Sequence, residues 1–207
     1  SVFDTSKDRL VFDVGHQSYV HKIITGRKDG FPTLRQYGGI AGFPKPNESI
    51  HDAFIAGHAS NSVSAALGMA RARTLLGENY SVLALIGDGA LSGGLSYEAL
   101  SDAGGSGEPI IVILNDNGMS IGRSVGGVSN HLAHMRVQPG YLSLKSFYRK
   151  ITQKSSFGKK VYAFTHKIKT GLKKAILHCS LFEEMGFQYL GPVDGHDVDK
   201  LIDILSW

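Results

Sequence analysis

Two short polar triplets, each directly after an apolar run, are the residues best suited to chemistry in this chain. Gly87-Asp88-Gly89 follows the apolar residues 82–86, and Asn115-Asp116-Asn117 follows the apolar residues 110–114. Apolar runs of this length are typical of strands that are covered on both faces in a parallel sheet. Because a crossover helix brings two parallel strands to the same sheet edge, we expect both triplets to lie at one carboxyl edge.

The side chains of these triplets predict a site for a hard cation and a phosphate. Asp88 supplies a carboxylate and Asn117 an amide oxygen, and a loop carbonyl such as that of Met119 can complete the protein's share. Magnesium is usually held by one or two protein groups together with substrate phosphates. Gly87 and Gly89 allow the backbone to approach a bulky anion. Each triplet alone is also a common turn, so the prediction rests on the combination.

The sequence contains none of the common motifs for nucleotide or zinc binding. There is no P-loop, no dinucleotide-binding glycine pattern after a strand, and no zinc-ligand spacing. Two of the nine histidines stand beside glycine at predicted element ends: His16 within residues 13–17 and His58 within residues 56–60. Such a position suits an imidazole directed at a ligand. The pattern alone also allows an ordinary surface role for both.

The elements that must position these residues are indicated by periodicity and capping. Ser60 or Asn61 can begin a helix that Gly77 ends, with one apolar face. That face consists of Val63, Ala66, Leu67 and Ala70. A second helix is predicted from about Leu95 to Ala103, before a break at Gly104-Gly105. Residues 1–60 are predicted to be loops with one or two short helices, so residues 82–86 would form the first strand.

The C-terminal part has weaker signals. Residues 182–185 are predicted to be helical and residues 187–190 to form a strand. Asp197 can cap a last helix over residues 198–205.

Composition places the chain among ordinary globular proteins. Apolar residues make up 42% and charged residues 19%, and Cys179 is the single cysteine, so no internal disulfide can form. No apolar run approaches the length of a membrane span, and the first residues do not resemble a signal peptide. A cytoplasmic protein is the default expectation.

Charge is distributed unevenly along the chain. Between Asn117 and Phe182 there are 12 Lys or Arg and no Asp or Glu, against 10 basic and 18 acidic residues elsewhere. A surface for nucleic acid or another polyanion is one interpretation. A solvated basic segment beside an acidic domain is the other, and no nucleic-acid motif accompanies the charge.

The two triplets resemble the motif of thiamine-diphosphate-dependent enzymes of the transketolase class. Several further segments are similar to the 1-deoxy-D-xylulose-5-phosphate synthase family within that class, in the family's order. They are residues 12–17, 26–27, 42–45, 57–60, 87–94, 114–121, 130–133, 182–187 and 191–197. The resemblance implies an α/β fold, a mostly parallel sheet with helices on both faces, incomplete at both ends. It implies one diphosphate- and magnesium-binding domain over residues 1–207, with a basic variable segment at about 141–178.

The same resemblance implies a role for each matching residue. Asp88, Asn117 and the Met119 carbonyl would hold magnesium. Gly89, Ala90 and Asn117 would contact the diphosphate of the cofactor, thiamine diphosphate. The cofactor cleft would be lined by Gly57, His58 and Ala59. His16 would lie near the cofactor and the substrate, where it could assist proton transfer.

As a whole, the family condenses pyruvate, with decarboxylation, and D-glyceraldehyde 3-phosphate, in a step toward isoprenoids and thiamine. It suggests a homodimer and no membrane partner. The resemblance places the glutamate that activates the cofactor and the residues that hold the aldehyde's phosphate outside these 207 residues, so we expect the piece alone to be inactive. The alternatives are a subunit of another transketolase-class ketol transferase, or a non-catalytic module that binds polyanions.

Overall fold

The computed structural model describes residues 2–117 and 180–207. The chain divides into two compact units, one comprising Ser1–Ser124 and Val193–Trp207 and the other Val125–Pro192. No helix in the described ranges is long and apolar enough to cross a membrane. The interpretation of residues 1–207 as one domain stays a prediction.

The first unit contains a three-stranded parallel sheet in the order β1-β2-β3. The strands are β1 (Arg9–Phe12), β2 (Val82–Gly87) and β3 (Ile111–Asn115). β2 is central, and Val82, Ala84 and Ile86 are each at most 1% exposed. A strand with both neighbours parallel and its side chains covered has the continuous apolar sequence that residues 82–86 show. The predicted α/β class with a parallel sheet is therefore confirmed.

Helices connect the strands in the way parallel pairing requires. Between β1 and β2 lie α1 (Tyr19–Lys22), a π-helical turn (Ile23–Arg27), a 3₁₀ helix (Lys28–Thr33) and α2 (Ser62–Leu76). Between β2 and β3 lie α3 (Asp88–Leu91) and α4 (Gly94–Ser106). α2 packs on β1, β2 and α4. The crossover between the two triplets is thus confirmed.

The face predicted for α2 is the one that the fold buries. Val63, Ala66 and Ala70 are fully buried and Leu67 is 3% exposed. Gly77 ends the helix in a left-handed conformation, with φ of 65°. Asn61, one of the two residues predicted to begin the helix, occupies the N-cap position, but its side chain makes no capping hydrogen bond.

Three other predictions about elements are corrected by the structure. Residues 82–86 belong to the second strand, because β1 lies within the segment predicted to be loops and short helices. α4 continues through Gly104-Gly105 and ends at Ser106, with the left-handed Gly107 as its C-cap. Residues 187–190 form no strand, since no strand of the described residues pairs with them.

The last elements are short. In the second unit α5 (Ser180–Glu184) is followed by irregular chain, and the ring of Phe182 in α5 stacks on that of Tyr189 in this chain with centroids 6.0 Å apart. In the first unit α6 (Val198–Leu205) begins at Asp197, whose carboxylate accepts a hydrogen bond from the Lys200 N–H at 3.1 Å. The predicted cap of this helix is confirmed. Residues 141–178, predicted to be the basic variable segment, lie outside the described residues.

Candidate diphosphate and metal site

The two polar triplets leave neighbouring strands at one edge of the sheet. In the parallel register of β2 and β3, Gly87 is the partner of Asn115. Asp88 directly follows the first strand end, and Asn117 stands two residues beyond the second. Asp88 is half-buried and Asn117 is exposed. A carboxylate and an amide oxygen therefore emerge from adjacent strand ends, as the sequence predicts.

The chain after β2 folds tightly around the Ala90 carbonyl. That oxygen accepts hydrogen bonds from the Gly93 N–H at 3.2 Å, from Ser96 Oγ at 3.1 Å and from Ser60 Oγ at 2.7 Å. Leu91 is 2% exposed and anchors the turn in the core. The polar end of the turn, Asp88 to Ala90, is consequently fixed by contacts behind it.

The turn after β1 carries His16 and is shaped by a crowded glycine. Gly15 has a φ of +93°, and a Cβ there would lie 2.7 Å from both Ala56 Cβ and Pro44 Cδ. The preceding residue, Val14, also has positive φ and donates its N–H to the His58 carbonyl at 3.2 Å. This hydrogen bond brings the loops of His16 and His58 together. His16 itself is exposed.

Gly57, His58 and Ala59 form an exposed stretch just before α2. Gly57 has a φ of +141°, and a Cβ at this position would meet nothing within 4 Å. The stretch is held at its ends, where the Ala56 N–H donates to the Pro44 carbonyl and Ser60 bonds to the turn after β2. Free space beside Gly57 leaves room for a ligand at this edge of the sheet.

A buried ion cluster, which no local sequence pattern indicates, fixes the loop that leads to Gly57. The Asp52 carboxylate accepts two hydrogen bonds from Arg27, at 2.6 and 2.8 Å, one from His21 Nε2 at 3.1 Å and one from the Lys45 N–H at 2.8 Å. Burial by itself raises the pKa of the Asp52 carboxyl, but these hydrogen bonds outweigh it, so the pKa lies well below its usual range.

A second pair completes this cluster. Lys22 is fully buried, and its ammonium lies 2.6 Å from a carboxylate oxygen of Glu48. The other oxygen of Glu48 accepts the Ala41 N–H at 2.7 Å. Buried charges persist only when they are paired and hydrogen-bonded. The cluster thus links residues 41–52 to residues 21–27, which follow β1 in the chain.

The donor set fits a magnesium–diphosphate pair better than a metal bound by protein alone. Within residues 2–117 and 180–207, no three His, Cys, Asp or Glu side chains gather as a set that could hold a metal ion. Magnesium with a diphosphate needs only one or two protein groups, as Asp88 and Asn117 could provide. Met119, the third predicted ligand, lies outside the described residues.

Several buried polar atoms near this edge remain unsatisfied among the described residues. They belong to the turn after β1 and to the start of α2: Gln17 Oε1, Ser18 Oγ, Asn61 Oδ1 and Ser62 Oγ. Buried polar atoms normally find a partner, and ordered water is the usual one where the protein supplies none.

Comparison with known proteins gives the family of the chain and several relatives. A model of the family described as 1-deoxy-D-xylulose-5-phosphate synthase matches residues 1–207. Curated proteins of the same name are similar over the whole chain. The protein of Clostridium kluyveri is 51% identical over 207 residues, which are 100% of this chain and 33% of that protein.

Two further relatives show the same coverage. The protein of Symbiobacterium thermophilum is 52% identical over 205 residues, covering 99% of this chain and 32% of its own length. The protein of Clostridium tetani is 50% identical over 207 residues, which are 100% of this chain and 34% of that protein. The chain thus spans about a third of the length of the curated relatives it matches. With a family model matched from the first residue to the last, the chain belongs to the 1-deoxy-D-xylulose-5-phosphate synthase family.

Proposed function

We propose that the whole protein containing this chain joins pyruvate to D-glyceraldehyde 3-phosphate, releasing carbon dioxide and forming 1-deoxy-D-xylulose 5-phosphate. Membership of the family supports this reaction. Thiamine diphosphate, when bound, supplies the carbanion stabilisation that such a decarboxylation and carbon–carbon bond formation need. Residues 1–207 contribute the part of the site that binds its diphosphate and a magnesium ion.

The observation that carries the proposal is the pairing of Gly87 with Asn115 in the sheet. It supports a site in which Asp88, Asn117 and the Met119 carbonyl hold magnesium, because hard oxygen ligands are what this ion prefers. Gly89, Ala90 and Asn117 contact the diphosphate in this proposal. The ion neutralises the diphosphate charge, which Asp88 alone would repel.

The neighbouring loops take the remaining roles. Gly57, His58 and Ala59 line the cofactor cleft, which the open space beside Gly57 supports. His16 is the proposed catalytic residue, moving a proton to or from the substrate, a task that suits an imidazole near neutral pH. Its adjacency to the His58 loop, through the Val14 N–H, supports this role. A homodimer and a cytoplasmic location stay predictions.

An activity assay with the full-length native polypeptide tests the function. Carbon dioxide released from carboxyl-labelled pyruvate should depend on D-glyceraldehyde 3-phosphate, thiamine diphosphate and magnesium together. Transfer from a ketose phosphate without carbon dioxide would instead identify another ketol transferase. Salt-sensitive polyanion binding that survives Asp88→Ala, with no turnover, would identify a binding module.

The His16 role is tested by His16→Asn, which should lower kcat by about 100-fold or more if the imidazole transfers a proton. His196→Gln is the matched control, since His196 is exposed and, within residues 2–117 and 180–207, its main-chain N–H makes a hydrogen bond to Asp194 while its ring makes none. Equal rates for the two variants would remove His16 from the reaction.

A further inference from the structure

Asp13 is a buried carboxylate that none of the proposed roles uses. It is 1% exposed and lies directly after β1, where its N–H continues the sheet by donating to the Leu85 carbonyl at 2.8 Å. One carboxylate oxygen accepts the Ser60 N–H at 2.8 Å and the other accepts the Ser62 N–H at 3.1 Å. A buried charge with two backbone donors is a fixed connection between the end of β1 and the start of α2.

This connection replaces the local cap that α2 lacks. Asn61 makes no side-chain capping hydrogen bond, and the carboxylate of Asp13 instead takes the first N–H of the helix. A negative charge at this position also complements the helix dipole. The first N–H of α2 is therefore already taken by an anion of the protein.

Ser60 extends the connection to the turn that carries Asp88. Its φ of +72° is unusual for a residue other than glycine, and its three polar groups are all hydrogen-bonded. The N–H donates to Asp13, Oγ donates to the Ala90 carbonyl at 2.7 Å, and the carbonyl accepts Ser96 Oγ at 3.3 Å. The surrounding contacts therefore hold Ser60 in a strained conformation.

The loop of His16, the loop of His58 and the turn of Asp88 thus share one chain of hydrogen bonds. It runs from Asp13 at the end of β1 through Ser60, two residues before α2, to the turn after β2. We propose that Asp13 and Ser60 are positioning residues, which hold these three loops at a fixed spacing before the cofactor arrives. A site that is ordered in advance binds more tightly, because the ligand does not have to select a rare conformation. This inference rests on the proposed function and adds residues that touch no ligand.

The test compares Asp13→Asn, Ser60→Ala and Ser60→Gly in the full-length native polypeptide. Asn keeps the shape of Asp13 but turns one acceptor into a donor facing an N–H. Ala removes the Ser60 hydroxyl, and Gly removes it while accepting the left-handed backbone without strain. Two measurements are made: thiamine diphosphate affinity at fixed magnesium, and hydrogen exchange of the amides of residues 88–93 without cofactor.

The controls remove equivalent bonds far from the site. Asp8→Asn weakens a carboxylate that accepts the Ser81 N–H at 2.7 Å, just before β1 and β2 begin, at the opposite edge of the sheet. Ser106→Ala removes a hydroxyl that donates to the Ala103 carbonyl at 2.7 Å, at the end of α4. Both controls should bind thiamine diphosphate as the unsubstituted protein does.

We expect Asp13→Asn and Ser60→Ala to raise the dissociation constant of thiamine diphosphate about tenfold. A change of that size corresponds to the loss of roughly one hydrogen bond that keeps the loops in the binding conformation. Exchange in residues 88–93 should be faster in both. Ser60→Gly should behave like Ser60→Ala, because the missing hydroxyl, not the backbone strain, is the cause. If Asp13→Asn does not fold, the two Ser60 variants carry the test.

Ser60 variants that bind thiamine diphosphate with wild-type affinity and show unchanged amide exchange in residues 88–93 would overturn the inference. It would also be overturned if the variants lost no more affinity than the two controls do. A Ser60→Gly variant that binds normally while Ser60→Ala does not would assign the effect to strain and also overturn it. Failure of the unsubstituted protein to bind thiamine diphosphate would reject the proposed function instead. The exchange data would then still show whether the loops are coupled.

Discussion

At the scale of single residues, the candidate site combines exposed or half-buried groups with buried polar and charged residues that hold them in place. Asp88 and Asn117 follow apolar runs that were recognisable as strands, whereas His16 was singled out only by the glycine beside it. Asp13 and Ser60 could not be found in this way, because their hydrogen bond joins residues 47 positions apart. A contact of that kind depends on how the strands and α2 pack, and no local pattern encodes it.

The charge on Asp52 should make stability depend on pH in acid. Because hydrogen bonds from Arg27 and His21 hold the pKa of this carboxyl below its usual range, its ionised form stabilises the folded state above about pH 4. That contribution is lost as the pH falls from about 4 toward the lowered pKa. The free energy of unfolding, measured by denaturant titration between pH 7 and 2, should therefore decline steeply on the acid side.

Asp52→Asn should reduce that acid dependence and cost about 3 kcal/mol at pH 7, since it leaves buried partners without their charge. Asp102→Asn is the matched control, because Asp102 pairs with Arg71 on the surface, where such pairs contribute little. An Asp52→Asn protein with unchanged stability and the same acid slope would contradict this assignment.

At the scale of elements, the order of the strands in the sheet positions the loops of the site. Some of these elements could be predicted from the sequence and others could not. α2 was predictable because its apolar residues, Val63 to Ala70, recur at helical spacing over about two turns and Gly77 marks its end. β1 was not, since it has only four residues and is defined by its pairing with β2. α4 runs through Gly104-Gly105 because burial of Leu100 and Ala103 outweighs the weak helix propensity of two glycines.

Gly15, in the turn after β1, should be harder to replace than Gly107 at the end of α4. Gly15→Ala imposes left-handed strain and also a Cβ that meets Ala56 and Pro44. Gly107→Ala is a matched control, because Gly107 has a φ of +71° with nothing within 4 Å of its Cβ position. Gly107→Ala should cost about 1 kcal/mol in free energy of unfolding, and Gly15→Ala about 1–3 kcal/mol more.

Denaturant unfolding of both variants measures the difference. Equal losses would mean that the crowding around Gly15 is relieved by a small movement, and that the turn carrying His16 is less constrained than its contacts indicate.

At the scale of the whole molecule, the chain accounts for about a third of the length of its relatives. Binding of a diphosphate and a metal can be argued from the residues described, whereas the complete reaction depends on groups that the family resemblance places elsewhere. We therefore predict that the isolated 207-residue chain catalyses no detectable release of carbon dioxide from pyruvate, while the full-length native polypeptide does. Turnover by the isolated chain, without any partner, would contradict this.

The most direct test of the account is a thiamine diphosphate titration of the full-length native polypeptide, followed by protein fluorescence with magnesium or with a chelator. We predict saturable binding that requires magnesium and is weakened at least about 100-fold by Asp88→Ala, since a lost metal ligand costs more than a lost outer contact. Asp102→Ala, which removes an exposed carboxylate of α4, should bind as the unsubstituted protein does. Binding that needs no divalent ion, or that Asp88→Ala leaves intact, would contradict the magnesium–diphosphate site at the carboxyl ends of β2 and β3.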